Sequence, residues 1–211
     1  MTLHRLRQTS FWGDYGSILA CGLGAKRDKK TGQLLLERAG PFAPPMMFTH
    51  ESLVGFVVLV TQSLKEKLEG AAFGDLTFKP TIKKHIVSIP WETWDREARL
   101  PWDANARVQG ARPEEGEPEN YILGQKHSPG AASAMEEIWE FIAPVLPCKV
   151  EKRERLRAFH YRWFLTAPKG PHSGLFRPPG DGHVLFVNEE GRRWFEREGQ
   201  GWIDFDEVAI I

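Results

Sequence analysis

Hydrophobic and polar positions change their period several times along this chain, and one order of elements occurs twice. Phe56-Val57-Val58-Leu59-Val60 is a continuous apolar run suited to a buried strand. Thr61 can cap a short helix from Gln62 to Glu69, whose Leu64 and Leu68 share one face. Gly70 stops that helix, and Leu76-Thr77-Phe78 resumes a strand that Pro80 interrupts. Near the C-terminus the same order returns. His183 to Val187 reads as the strand, Asn188 as the cap, and Glu189 to Arg197 as the helix, with Trp194 and Phe195. Gly199 is the stop, and Trp202-Ile203-Asp204-Phe205-Asp206 the closing strand. Overlaid, the copies equate Val60 with Val187, Thr61 with Asn188, Lys65 with Arg192, Leu68 with Phe195, Glu69 with Glu196 and Phe78 with Phe205. A duplicated half and a common supersecondary unit used twice both fit this pattern.

Other segments complete the outline. Residues 11–40 are glycine-rich, with short apolar pieces at Ile18-Leu19-Ala20 and Leu34-Leu35-Leu36 and a tight turn at Lys30-Thr31-Gly32. Gly40-Pro41-Phe42-Ala43-Pro44-Pro45 lacks the donors a central strand needs, so it reads as an extended connector or an edge. Ile82 to Ile89 is strand-like up to Pro90. Ser128-Pro129 opens a predicted helix carrying Ala132, Met135, Ile138, Trp139 and Ile142 and ending before Pro144. Ala158 to Thr166 alternates, placing Phe159, Tyr161, Trp163 and Leu165 on a core-facing side and His160, Arg162 and Phe164 on the other. The class is therefore α+β: a twisted mixed or antiparallel sheet with a few short helices. A single domain over 1–211 is expected, with possible sub-halves 1–90 and 120–211 joined by an irregular acidic segment, 91–119.

Composition narrows the classes. With 41% apolar residues, 13 Phe and 8 Trp, the chain can bury a core. Lys plus Arg and Asp plus Glu balance at 28 each, so any electrostatic recognition is local rather than a general attraction to nucleic acid or membrane. No signal-like apolar stretch follows Met1-Thr2-Leu3-His4-Arg5, and Phe56 to Val60, the longest apolar run, is too short to span a bilayer, so a cytoplasmic protein is expected. Cys21 and Cys148 lack metal-knuckle or CxxC spacing and read as reduced thiols.

The search for chemistry returns little. Gly22-Leu23-Gly24 lacks the third glycine of a dinucleotide turn and the pattern of a P-loop. His4, His50, His85, His127, His160, His172 and His183 form no HxH, HExxH or HxxxH pair, and no GxSxG exists. The expectation is a non-enzyme without a cofactor or metal. Two charged regions remain. One combines Trp91, Trp94 and Trp102 with Glu92, Asp95, Asp103, Glu114, Glu115, Glu117 and Glu119 in a segment without helix or strand period. Tryptophans in a long polar loop are either folded back onto the core, as is expected of at least one of the three, or exposed as binding anchors. The other, Lys149 to Arg157, is basic and precedes the aromatic strand.

Leu36-Glu37-Arg38-Ala39-Gly40-Pro41-Phe42, Val60-Thr61 with Leu64 to Glu69, Phe78-Lys79-Pro80, Ile82 to Val87 and Trp91-Glu92-Thr93-Trp94-Asp95 resemble a group of small bacterial proteins. Val187-Asn188-Glu189-Glu190, Trp194-Phe195-Glu196 and Trp202-Ile203-Asp204-Phe205 are similar to the ends of bacterial immunity proteins encoded beside secreted toxins. The resemblance implies a cytosolic antidote that binds and neutralises one cognate toxin or effector. On that reading Trp91, Glu92, Trp94, Asp95, Trp102, Asp103, Glu114, Glu115, Glu117 and Glu119 contact the partner. Two other readings stand beside it: a hydrolase-like enzyme with a dispersed site drawn from His85, His160, Asp95 and Cys21, and a nucleic-acid module using Lys152, Arg153, Arg155 and Arg157.

Overall fold

The computed structural model describes residues 2–9, 21–23, 26–49, 57–89, 124–157, 160–169, 174–180 and 184–211. Its strands are β1 (Leu3–Gln8), β2 (Leu35–Gly40), β3 (Met46–Phe48), β4 (Val58–Thr61), β5 (Thr77–Pro80), β6 (Ile82–Ser88), β7 (Ile138–Ile142), β8 (Val150–Arg157), β9 (His160–Leu165), β10 (Leu175–Phe176), β11 (Leu185–Asn188) and β12 (Ile203–Ile210). Three helices are described: α1 (Gln62–Glu69), α2 (Pro129–Ala134) and α3 (Glu189–Glu198). This is an α+β fold dominated by its sheets. Backbone contacts divide it into two compact units, residues 1–9, 63–78 and 141–211, and residues 10–62 and 79–140.

The first unit holds a six-stranded sheet in the order β10-β11-β1-β12-β9-β8. β12 and β9 run parallel and the other neighbours antiparallel. One of its core clusters comprises Leu3, Leu146, Trp163, Leu165, Phe176, Val184 and Phe186, with Tyr161 partly buried against it. The expected inward face of the aromatic strand is thus correct at Trp163 and Leu165, while Phe159 lies outside the described residues. In the second unit β2 and β6 form a parallel pair and β3 and β4 an antiparallel one. A four-stranded sheet has the order β3-β4-β7-β5.

These orders give the repeated unit a three-dimensional meaning. β4 and β5 flank β7 as β11 and β12 flank β1, and β3 lies beside β4 as β10 lies beside β11. Met46 pairs with Val60 where Leu175 pairs with Val187. Thr61 donates its amide to the Pro45 carbonyl at 3.0 Å, and Asn188 to the Gly174 carbonyl at 2.9 Å. Lys65 bonds Glu69 at 2.7 Å and lies 5.4 Å over the Phe78 ring. Arg192 bonds Glu196 at 2.9 Å and lies 5.9 Å over the Phe205 ring. Trp139 donates to Gln62 at 2.7 Å where His4 meets Glu189 at 2.9 Å. The equated pairs Val60/Val187, Thr61/Asn188, Lys65/Arg192, Glu69/Glu196 and Phe78/Phe205 therefore make matching contacts in both copies, and the flanked strand follows the first copy but precedes the second.

Both helices occupy their expected spans, and Asn188 caps the second by accepting from the Gly191 amide at 2.8 Å. The expected long helix after Ser128 is corrected. α2 ends at Ala134, Met135 turns extended with ψ 135°, and Ile138–Ile142 is a strand. Ile, Trp and Phe at those positions suit a pleated, half-buried surface, and pairing overrides the helical spacing. The sequence reading also lacked β1, β3, β8 and β10. Cys21 and Cys148 are free thiols.

Candidate functional site

The acidic, tryptophan-bearing residues Trp91, Glu92, Trp94, Asp95, Trp102, Asp103, Glu114, Glu115, Glu117 and Glu119 lie outside the described residues. The structure does describe the base from which their segment leaves and to which it returns. β6 pairs with β2, setting Arg38 beside Ile86, Ala39 beside Val87 and Gly40 beside Ser88. Ile86, Val87 and Ile89 are buried up to the point where the chain leaves. On the return, the Ile86 carbonyl accepts from the Ser128 amide at 2.7 Å, and the Ile86 amide donates to His127 Nδ1 at 3.0 Å. The chain therefore departs at the end of β6 and is back against β6 at His127 and Ser128.

That base is built by ordinary local chemistry. Ser128 caps α2, its hydroxyl accepting from the Ala131 amide at 3.2 Å, and Pro129 follows at the first turn, where its missing N–H costs nothing. Ala131 and Met135 turn inward. A Cβ at Gly40 would fall 2.7 Å from the Ile86 side chain, so glycine is needed for that close approach. Lys83 ties the exit of α2 to β6, donating to the Met135 carbonyl at 2.6 Å and to Glu137 at 2.8 Å. The His85 and His127 rings stand 6.3 Å apart. Glu37, opposite His85 in the register, is held by Lys84 at 3.0 Å and Lys26 at 3.6 Å. Burial alone would raise its carboxyl, but those two ammonium groups outweigh it and hold the group below the usual range.

Of the residues suggested for a dispersed enzyme, Asp95 and the side chain of His160 lie outside the described residues. Cys21 is buried beside the fully buried Arg38. Burial pushes the thiol up to about 11 despite the Arg38 charge, so it is protonated at neutral pH and no nucleophile. Arg38 donates to the carbonyls of Ala39 and Phe42 and to Met47 Sδ.

The basic stretch is β8, the outer strand of the six-stranded sheet. Arg153 and Arg155 are exposed, and Arg153 lies 5.1 Å over Tyr161 and 5.8 Å over Trp163. The side chains of Lys152 and Arg157 are not among those described. Behind this strand sits a cluster that the sequence reading missed. Asp206, fully buried, accepts from Arg5 at 3.0 Å, from Trp163 Nε1 at 3.1 Å and from the Tyr161 amide at 3.3 Å. Arg7 Nε lies 3.2 Å from the same carboxylate, and Arg7 also pairs with Asp204. The signal was present: Leu3, Arg5 and Arg7 share one face of β1, while Asp204 and Asp206 oppose Arg7 and Arg5 in β12.

Among the described residues no group of three or more His, Cys, Asp or Glu side chains could hold a metal ion, and no helix is long and apolar enough to cross a membrane. No protein-family model, curated protein or solved structure matches this chain.

Proposed function

We propose that the chain is a binding protein of the immunity type, which captures one cognate toxin or effector through the acidic, tryptophan-bearing segment 91–119. The observation that carries this reading is the two-bond junction of Ile86 with His127 and Ser128. A chain that leaves one strand after its buried end and rejoins it there is a compact way to present a recognition loop on a scaffold. Its tryptophans supply anchors and its carboxylates a charge matched to a basic cleft, such as that of a nuclease, with steering that weakens in salt. The neutralising act is occlusion, so it needs no catalytic group.

The test is a pull-down from the native host followed by a toxicity-rescue assay with the captured protein. Recovery of a toxic protein whose effect is relieved by co-expression of this chain supports the reading. Capture of nothing, or of a protein whose toxicity is unaffected, overturns it.

A second reading, nucleic-acid binding along β8, is favoured by the exposed Arg153 and Arg155. Single-strand binders need aromatic platforms open to bases. Trp163, at 5% exposure, is committed to the core, which is why this reading comes second. Retention of single-stranded DNA or RNA that falls steeply with salt would support it.

A further inference from the structure

We propose that His127 is a proton-operated latch that fastens the chain to β6. The Ile86 amide is a donor only, and it points at His127 Nδ1 from 3.0 Å. That nitrogen must present its lone pair, so the ring is the neutral tautomer with its hydrogen on Nε2. A proton added to Nδ1 would set one N–H against another. The bond is then lost and the Ile86 amide left without its acceptor, while the Ser128 amide still holds the Ile86 carbonyl at 2.7 Å. Protonation thus releases one of two bonds and leaves the strand in place.

The surroundings add to this response. His85, on β6, has its ring 6.3 Å from that of His127, so two charged imidazoles would repel. β2 contributes Glu37 opposite His85, already engaged by Lys84 and Lys26. Lys126 precedes His127, and α2 (Pro129–Ala134) carries no ionisable side chain. His127 is exposed, so a proton reaches it without unfolding. Imidazole is the side chain whose charge changes within the range a cell can vary. Any consequence for partner capture rests on the function proposed above, whereas the latch itself can be tested on the free chain.

The experiment is residue-resolved amide exchange of Ile86 between pH 5 and 8, corrected for the intrinsic rate, beside NMR titration of the His127 ring. In the wild-type chain, protection of Ile86 falls roughly tenfold on acidification, as loss of one hydrogen bond would give, with a midpoint matching that of the ring. His127→Asn, whose side-chain oxygen can accept near the Nδ1 position without titrating in this range, keeps protection flat. Protection that is independent of pH in the wild type, or that still falls in His127→Asn, overturns the latch. If Ile86 titrates as stated but no partner is captured at any pH, the latch stands and the immunity reading fails.

Discussion

Ile86 accepts a 2.7 Å hydrogen bond from the Ser128 amide, and through it the chain returns to the strand it has just left. The described residues on either side of positions 90–123 are therefore joined without them. Replacing residues 93–120 with a short Gly/Ser linker should leave the thermal midpoint within a few degrees of wild type. Loop length enters stability only logarithmically, at roughly 0.6 kcal/mol per doubling. Calorimetry checks this, and a cooperative transition lost altogether would show that the segment is structural.

Asp206 of β12 ties three strands of the six-stranded sheet together through Arg5 of β1 and Tyr161 and Trp163 of β9. Asp206→Ala leaves Arg5 and Arg7 without their shared buried carboxylate and Trp163 Nε1 without its acceptor. Breaking a buried ion pair on one side costs about 3–5 kcal/mol. Urea unfolding monitored by tryptophan fluorescence should show a loss of that size, and a loss under about 1 kcal/mol would contradict the assignment.

The two copies of the strand–helix–strand unit predict matched effects. Lys65→Ala and Arg192→Ala each remove an i,i+4 ion pair and a cation–aromatic contact, and Arg192→Ala also removes a longer 3.8 Å pair with Glu189. Each should cost about 1 kcal/mol, and the double variant the sum, because the residues lie on different helices. Equilibrium unfolding of the three variants measures this, and strongly unequal losses would show that the likeness is confined to the backbone.

Cys21 predicts the alkaline behaviour. Its folded thiol is raised by burial to about 11, from an ordinary value of 9.0. Its stabilising contribution is therefore complete below pH 9 and is lost as pH rises from 9 through 11. Arg38, lowered by burial to about 10, acts oppositely, but only above that value. Between neutrality and pH 10 the chain should lose about 1 kcal/mol, and Cys21→Ala should lose less, the remaining loss including Cys148, whose thiol burial also raises. Thiol labelling at pH 8 should modify Cys148, which is partly exposed, well before Cys21.

Much of this architecture was legible in the sequence, for physical reasons that differ by element. α1 and α3 were readable because start signal, apolar spacing and stop coincide within each. The equivalence of Lys65 with Arg192 and of Phe78 with Phe205 was readable for the same reason, and the structure adds that Lys65 lies over Phe78 as Arg192 lies over Phe205. Ile138-Trp139-Glu140-Phe141-Ile142 was misread because a short apolar run fits either period and only strand pairing decides. β1 and β8 were missed because charged residues interrupt their apolar pattern, and some of those charges find their partners across the sheet, as Arg5 does with Asp206. The base of the candidate site was also hidden. Nothing local marks His127 as the acceptor for Ile86, a residue far from it in the chain.

The most direct measurement of the central claim is partner binding by the double variant Trp94→Ala with Asp95→Ala, beside its thermal unfolding. Affinity for the captured partner should fall at least tenfold, since a buried aromatic anchor commonly contributes 2 kcal/mol or more, roughly a thirtyfold change. The thermal midpoint should stay nearly unchanged. A double variant that binds as tightly as wild type, or one that simply unfolds, would contradict the claim.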